Sequence, residues 1–301
     1  MSAGTTTTIA PRRRRRVSAG QRIARLGLYA FMIISALFFA LPLYVMLVTS
    51  LKPMDEIRQG AMLALPVSPT LAAWAEAWGT ACTGLQCQGI APGFWSSVAI
   101  LVPSVLLSIG VGAVNGYALS QWRFPGADKV AALITVGVFI PIQVVMLPMV
   151  KIFAFVGLQG SLLAIVAVHV VFSLPFMALY FRNFYAAVPN DLMRAAVVDG
   201  GGFWTIFLRI MLPLSTNALL VALVLQVTGI WNDFLLGLIF AGRDWKPMTV
   251  LLNNIVNVSE GEIRYNVNMA ATLLTAIPPL LVYFISGKYF VRGVTAGATK
   301  G

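Results

Sequence analysis

The sequence predicts an all-α integral membrane protein of six transmembrane helices with one helix–turn–helix loop on the cytoplasmic side, and three observations lead there. First, only 10% of the 301 residues are charged while 59% are hydrophobic, with a mean hydropathy of +0.86, whereas about a quarter of residues are charged in a soluble domain. Second, the chain contains six charge-free windows, 26–51, 94–122, 130–150, 152–181, 210–232 and 265–287; a bilayer-spanning helix needs about 20 apolar residues. Third, with the N-terminus inside, 15 of the 21 Lys and Arg residues fall on the inner side of those windows and 6 on the outer side. That asymmetry is the positive-inside pattern, so both chain ends are expected in the cytoplasm. It also accounts for the net charge of +11 without a nucleic-acid partner.

Residues 1–21 carry a Thr run and then PRRRRR at 11–16, too polar to form a core. They are expected to be a disordered basic segment on the inner leaflet, each Arg contributing about 1 kcal/mol against anionic lipid. The run from Leu26 to Leu51 exceeds the apolar core of a cleaved signal and lacks a small-residue cleavage site, so it is read as the first span. It contains Pro42 and ends in TSLKP, and residues 52–93 then form the largest outer loop. Within that loop LAAWAEAW, with Trp74 and Trp78, reads either as an amphipathic helix at the interface or as a plain linker. Cys82 and Cys87 fall in the same loop, where an oxidising compartment permits a disulfide across four intervening residues; two free thiols in a turn are the alternative. No metal site is expected, because two thiols cannot complete a tetrahedral shell and the chain's one histidine, His169, lies in another span.

The second span, from Phe94 to about Gln121, holds Gly110, Gly112 and Gly116, small residues that allow close helix approach in lipid. The turn RFPGADK leads into a third span in which Pro141 and Pro148 flank Gln143. An ordinary proline kink is expected there, the alternative being a broken helix that lines a cavity. Span four, roughly 160–181, holds His169, a functional candidate as a lone imidazole inside a membrane helix, but expected here to be neutral and bonded to a neighbouring carbonyl. Span five begins near Leu214 and runs past Gln226 to WNDF, where Asp233 either faces a pathway, faces a partner helix or caps a local break. Span six ends at Lys288 and Arg292, its inner anchors, before a short basic tail at 293–301.

Between spans four and five lies PNDLMRAAVVDGGGFWTIFLRIMLP, residues 189–213. Asn190 or Asp191 can cap a helix, Leu192, Ala195 and Ala196 then share a face, and Gly200 to Gly202 suit a left-handed stop. A helix over about 191–198 follows, and a second helical period at Phe203, Ile206, Phe207 and Ile210 runs to Pro213.

The spacing of AAVVDGGG between Pro189 and the Leu212-Pro213 pair resembles the EAA loop of ABC import permeases. SLKP at 50–53, NGYALS at 115–120, WNDF at 231–234 and FVRGVTAGATKG at 290–301 are similar to segments of the maltose-type carbohydrate permeases, so the likeness covers residues 22–301. It implies a six-span permease domain over 22–292 whose coupling loop meets a separate ATPase through Leu192, Arg194, Ala195, Ala196, Asp199, Gly200 and Phe203. The tail at 293–301 would reach the same interface. The implied assembly contains a second homologous permease, two ABC ATPase subunits and a periplasmic sugar-binding protein, set in the lipid of the inner membrane. Two residues depart from the pattern: Arg194 stands where Glu is normal, and Gly201 stands where Ala is usual. The charge reversal at Arg194 removes any salt bridge made from that Glu but not the shape of the helix.

The chain has no GxxxxGK[ST] loop to cradle phosphates, so ATP is expected to be used by the partner subunit, with no cofactor and no enzymatic activity in this chain. Sugar recognition calls for amides and carboxylates to meet hydroxyls and aromatic faces to meet the ring. Trp231, Asn232 and Asp233 supply one such group, with Gln143 and Gln226 as weaker candidates, and each is equally open to being a helix–helix hydrogen bond. In the family resembled, the second permease often holds most of the sugar. ACTGLQCQGIAPGFWSS at 81–97 and NNIVN at 253–257 are similar to glucose/mannose-type members, which makes a monosaccharide the first expectation. An ion-coupled secondary solute carrier is the alternative, but it needs membrane carboxylates or cation-binding breaks in repeated halves, and only Asp233 qualifies.

Overall fold

In hydrocarbon a backbone N–H or C=O has no water to bond, so long apolar runs satisfy themselves as helices. The computed structural model describes residues 19–298 apart from 61, 85, 123 and 258–262. The basic segment over 1–18 and the last three residues of the expected tail lie outside them. Fourteen helices are described: α1 (Ala19–Ser50), α2 (Met54–Arg58), α3 (Ala72–Gly79), α4 (Ala91–Gln121), α5 (Ala127–Phe139), α6 (Ile142–Phe155), α7 (Leu162–Ala186), α8 (Asn190–Val198), α9 (Phe203–Ile206), α10 (Leu212–Leu214), α11 (Thr216–Trp231), α12 (Leu235–Phe240), α13 (Met248–Val256) and α14 (Tyr265–Ala298). A π-helical turn, Phe207–Met211, joins α9 to α10.

Four of these helices, α1, α4, α7 and α14, are long and apolar enough to cross a bilayer, and counting each of two bent pairs as one span gives six among the described residues. The pairs are where the sequence reading needs correction. The third span is two helices, α5 and α6, meeting at 101° rather than one helix with a proline kink. The residue before a proline is pushed out of the α region: Ile140 has ψ 119° and Pro141 itself has ψ 131°, so two extended residues in succession break the rod. Pro148, with its neighbours helical, sits inside α6 without ending it. Lys151 therefore lies on α6 and not in an outer loop. In the second pair, residues 203–214 meet α11 at 77°, with the break at Ser215.

α4 and α7 run in the same direction and pack along a seam of small residues. Ser104, Ser108, Gly112 and Gly116 recur every four residues on α4 and are buried. A Cβ added to Gly112 would lie 2.5 Å from Met177 Cβ, and one added to Gly116 would lie 2.5 Å from the Arg182 nitrogen and 2.6 Å from Phe181 Cβ. Without a hydrophobic drive between helices in lipid, this closeness is what gains dispersion contact.

At one end of the bundle α2, α3, α12 and α13 form a cap. α3 is packed into it rather than lying free at an interface: Ala73 and Ala77 are buried, Trp74 Nε1 donates to Ser50 Oγ at 3.1 Å, and the Trp78 ring meets Phe94 at 5.6 Å. Glu76 pairs with Arg264, and Asn266 Nδ2 donates to the Lys52 carbonyl at 3.1 Å. Cys82 and Cys87 are joined in a disulfide that closes a short hairpin on this cap. α14 extends to Ala298 and so runs through residues 293–298 of the segment read as a tail.

Replacing Gly112 or Gly116 by Leu is expected to cost about 1–3 kcal/mol by overpacking. Gly110→Leu, where a Cβ meets nothing within 4 Å, should leave thermal stability in detergent unchanged. Equal melting temperatures for all three variants would contradict the seam.

Candidate functional site

Two places gather the polar and conformationally special residues. The first is the jointed loop at the end of the bundle opposite the cap. α8 starts directly after Pro189, which holds the N-cap position with no side-chain hydrogen bond, so neither Asn190 nor Asp191 caps it. Leu192, Ala195 and Ala196 do not share one environment: Ala196 and Met193 are buried, whereas Leu192, Arg194, Ala195 and Asp199 are exposed. Arg194 makes no ion pair among the described residues. The helix ends at Gly200, whose φ of +81° is the left-handed conformation that favours glycine. The N–H of Gly200 donates to the Val197 carbonyl at 3.0 Å and that of Gly201 to the Ala196 carbonyl at 2.9 Å. The departure at Gly201 has a steric reading, since a Cβ there would lie 2.7 Å from the Ala196 oxygen and 2.9 Å from Ile206 Cγ1.

Phe203 roots the second arm of the loop. It is half-buried, with its ring 4.8 Å from Tyr117 and 5.3 Å from Trp122, and its carbonyl accepts from the Tyr117 hydroxyl at 3.5 Å. Tyr117 also meets Phe207 at 5.4 Å and Tyr185 at 6.1 Å. The cluster continues through hydrogen bonds that join three elements: Gln121 Nε2 donates to the Tyr185 carbonyl at 2.6 Å, and the Tyr185 hydroxyl donates to Ser215 Oγ at 3.2 Å. The break at Ser215 and the end of α4 are thereby tied to α7.

The second place is a cavity of about 400 Å³ bounded by the start of α6, by α7 and by α11. Of the residues singled out as sugar contacts, it brings Gln226 and Asp233 together and not the others. Gln143 is exposed near the start of α6, and Asn232 is exposed at the C-cap of α11. Trp231 is buried, packs on Phe94 at 5.8 Å and donates from Nε1 to the Thr275 carbonyl at 2.9 Å, so it is committed to the core. Asp233 caps α12: its two carboxylate oxygens accept from the N–H groups of Leu236 at 3.2 Å and Gly237 at 2.9 Å. Gln226 Oε1 accepts from Ser173 Oγ at 2.9 Å.

His169 lines the same cavity and lacks the carbonyl partner expected for it. Asp233 lies beside it, Nε2 to Oδ2 at 3.9 Å, and it makes no hydrogen bond among the described residues. Sequence reasoning passed over His169 and missed Ser173 as cavity residues. The available signal was their four-residue spacing in the otherwise apolar first half of the helix, which puts both on one face of α7.

A helical bundle with two bent helix pairs and a jointed, aromatic-rooted loop at one end has the build of a multi-pass membrane protein. The chain belongs to the family of binding-protein-dependent transport system inner membrane components, which it matches over residues 108–296. It is 34% identical over 218 residues to the osmoprotective compounds uptake permease protein GgtD of Synechocystis sp., covering 72% of each chain. It is 26% identical over 282 residues to the glucose import system permease protein GlcU of Saccharolobus solfataricus, covering 91% of this chain and 95% of that one. Its fold is that of a chain in a bacterial ABC transporter involved in the import of the acidic polysaccharide alginate, with a TM-score of 0.78 at 20% identity over 91% of this chain and 98% of the other.

Phe203→Ala should unseat the loop. A fully buried Phe costs about 3–5 kcal/mol on truncation, and for this half-buried one a smaller loss is expected, enough to speed amide exchange at residues 195–201 about tenfold. Amides of α11 should keep their wild-type rates. Unchanged exchange in the loop would contradict the anchoring described.

Proposed function

We propose that the chain is the permease subunit of an ATP-driven sugar importer, forming half of the translocation pathway and receiving movement from an ATPase through the exposed face of α8. The observation that carries this reading is the division of α8: Met193 and Ala196 root it in the aromatic cluster, while Leu192, Arg194, Ala195 and Asp199 are left uncovered. A short helix held on one side and bare on the other is suited to a groove on a partner and to passing on that partner's motion as a rigid body. Phe203 then serves as a root of the loop and Gly200 as its joint. ATP is hydrolysed in the partner.

The assembly proposed is this chain with a second homologous permease, two ATPase subunits and a periplasmic sugar-binding protein. The charge asymmetry supports placing α8 and both chain ends in the cytoplasm, with the disulfide-bearing cap on the outer side. A relative named for glucose import and the sequence likeness around 81–97 support a monosaccharide as cargo.

The double variant Asp199→Lys, Gly200→Val is expected to insert and co-purify with its partners yet lose sugar-stimulated ATP hydrolysis in the reconstituted complex; retained stimulation would refute coupling through this loop. A cysteine placed at Asn190 should react with a membrane-impermeant thiol reagent in inverted vesicles and not in right-side-out ones. The reverse pattern would overturn the orientation.

A further inference from the structure

A buried polar group without a partner forfeits about 1–3 kcal/mol unless water or a ligand serves it. Two side chains facing the cavity between α7 and α11 keep hydrogen-bonding capacity open to such service: His169, whose neighbour Asp233 lies at 3.9 Å, and the amide nitrogen of Gln226, whose oxygen is taken by Ser173. His169 and Gln226 are each 6% exposed. Neither the imidazole nitrogens of His169 nor the amide nitrogen of Gln226 is hydrogen-bonded among the described residues, and neither side chain is sealed, since both line the cavity. Ser173 stands beside them, oriented by its bond to Gln226 Oε1.

The remaining walls narrow the chemistry. Phe172 and Phe176 are cavity-lining aromatics, and among the described residues no Lys or Arg lines the space. The one carboxylate, Asp233, is engaged by the α12 backbone N–H groups. That set does not suit an anion, and Asp233 is poorly free to hold a cation. Amide, imidazole and hydroxyl groups beside apolar rings suit a neutral polyhydroxylated ring. The volume of about 400 Å³ is at the small end of ligand sites, about 300–1,000 Å³. It is enough for one ring. The site also lies within the membrane-crossing part of the bundle: at 1.5 Å per residue, His169 is about 10 Å along α7 from Leu162, and Gln226 is about 8 Å back along α11 from Trp231.

We propose that this cavity is a sugar subsite of the pathway, in which Gln226, Ser173 and His169 bond the hydroxyls of a single neutral pyranose ring held against Phe172 and Phe176. The inference rests on the importer reading and deepens it, because this permease chain then contacts the cargo itself instead of leaving it to the second permease.

The test uses the complete transporter, assembled with its co-encoded subunits in proteoliposomes, and measures uptake of labelled D-glucose, D-mannose and D-xylose. Gln226→Glu, Ser173→Ala and His169→Gln are each expected to raise KM for the imported sugar about three- to tenfold, the loss of roughly one hydrogen bond. Gln226→Glu should also change the preference among the three sugars, an effect that a purely structural helix–helix bond would not produce. Co-purification of all subunits shows that each variant has folded, and Ser173→Ala, the smallest change, serves where another variant fails to assemble. Normal import by the wild-type complex together with unchanged KM and unchanged preference in the variants overturns the subsite and leaves the importer reading standing. Import of none of the three by the wild-type complex overturns the subsite as a monosaccharide site, and loss of sugar-stimulated ATP hydrolysis for every carbohydrate offered overturns the importer reading with it.

Discussion

The close approach of α4 to α7 at Gly112 and Gly116 is the contact on which the other features depend. Side chains at those two positions would collide with Met177, Phe181 and the Arg182 backbone, so the helices meet backbone to backbone only because they are glycines. That registration delivers Tyr117 and Trp122, at the end of α4, next to Tyr185 on α7. Tyr117 and Trp122 form the socket that receives Phe203, and Tyr117 also meets Phe207. The loop carrying α8 is therefore fastened to the two most tightly packed helices of the bundle. Its contacts run to α4 and α7, and through Tyr185 and Ser215 to the break that begins α11.

At the other end of α7 and α11 that same pair of helices bounds the polar cavity. One helix thus bears the socket near Phe181 and Tyr185 and the cavity residues His169 and Ser173, about three turns away along its length. The α8 loop and the cavity are thus joined by one continuous helix, which carries Pro175 between them.

The loop was legible in the sequence because it is built from local chemistry: proline before a helix, glycines after it, and a renewed helical period at Phe203. The six spans were legible from length and charge alone. The break at Ile140-Pro141 was harder, because a proline within an apolar run can either kink or end a helix, and only the backbone at two successive residues decides which. Leu192, Ala195 and Ala196 share a helix face as their spacing requires, but which residues of α8 are buried was not legible, because Met193 and Ala196 pack against helices far away in sequence. The cavity was half legible. Gln226 and Asp233 stood out as polar residues in span five, but Trp231 and Asn232, their neighbours in the chain, point into the core and outward respectively. His169 and Ser173 became part of the site only once α7 was placed against α11.

The central claim is that α8 is rigidly fastened to the bundle through the aromatic socket. It is tested most directly by the distance between spin labels at Val198 on α8 and Val111 on α4, both exposed, measured by pulsed electron paramagnetic resonance in the complete transporter without nucleotide and with ATP bound. The account requires the same distance in both states. A displacement of α8 relative to α4 by several ångströms on ATP binding would show that the loop swings independently, and the account would be wrong.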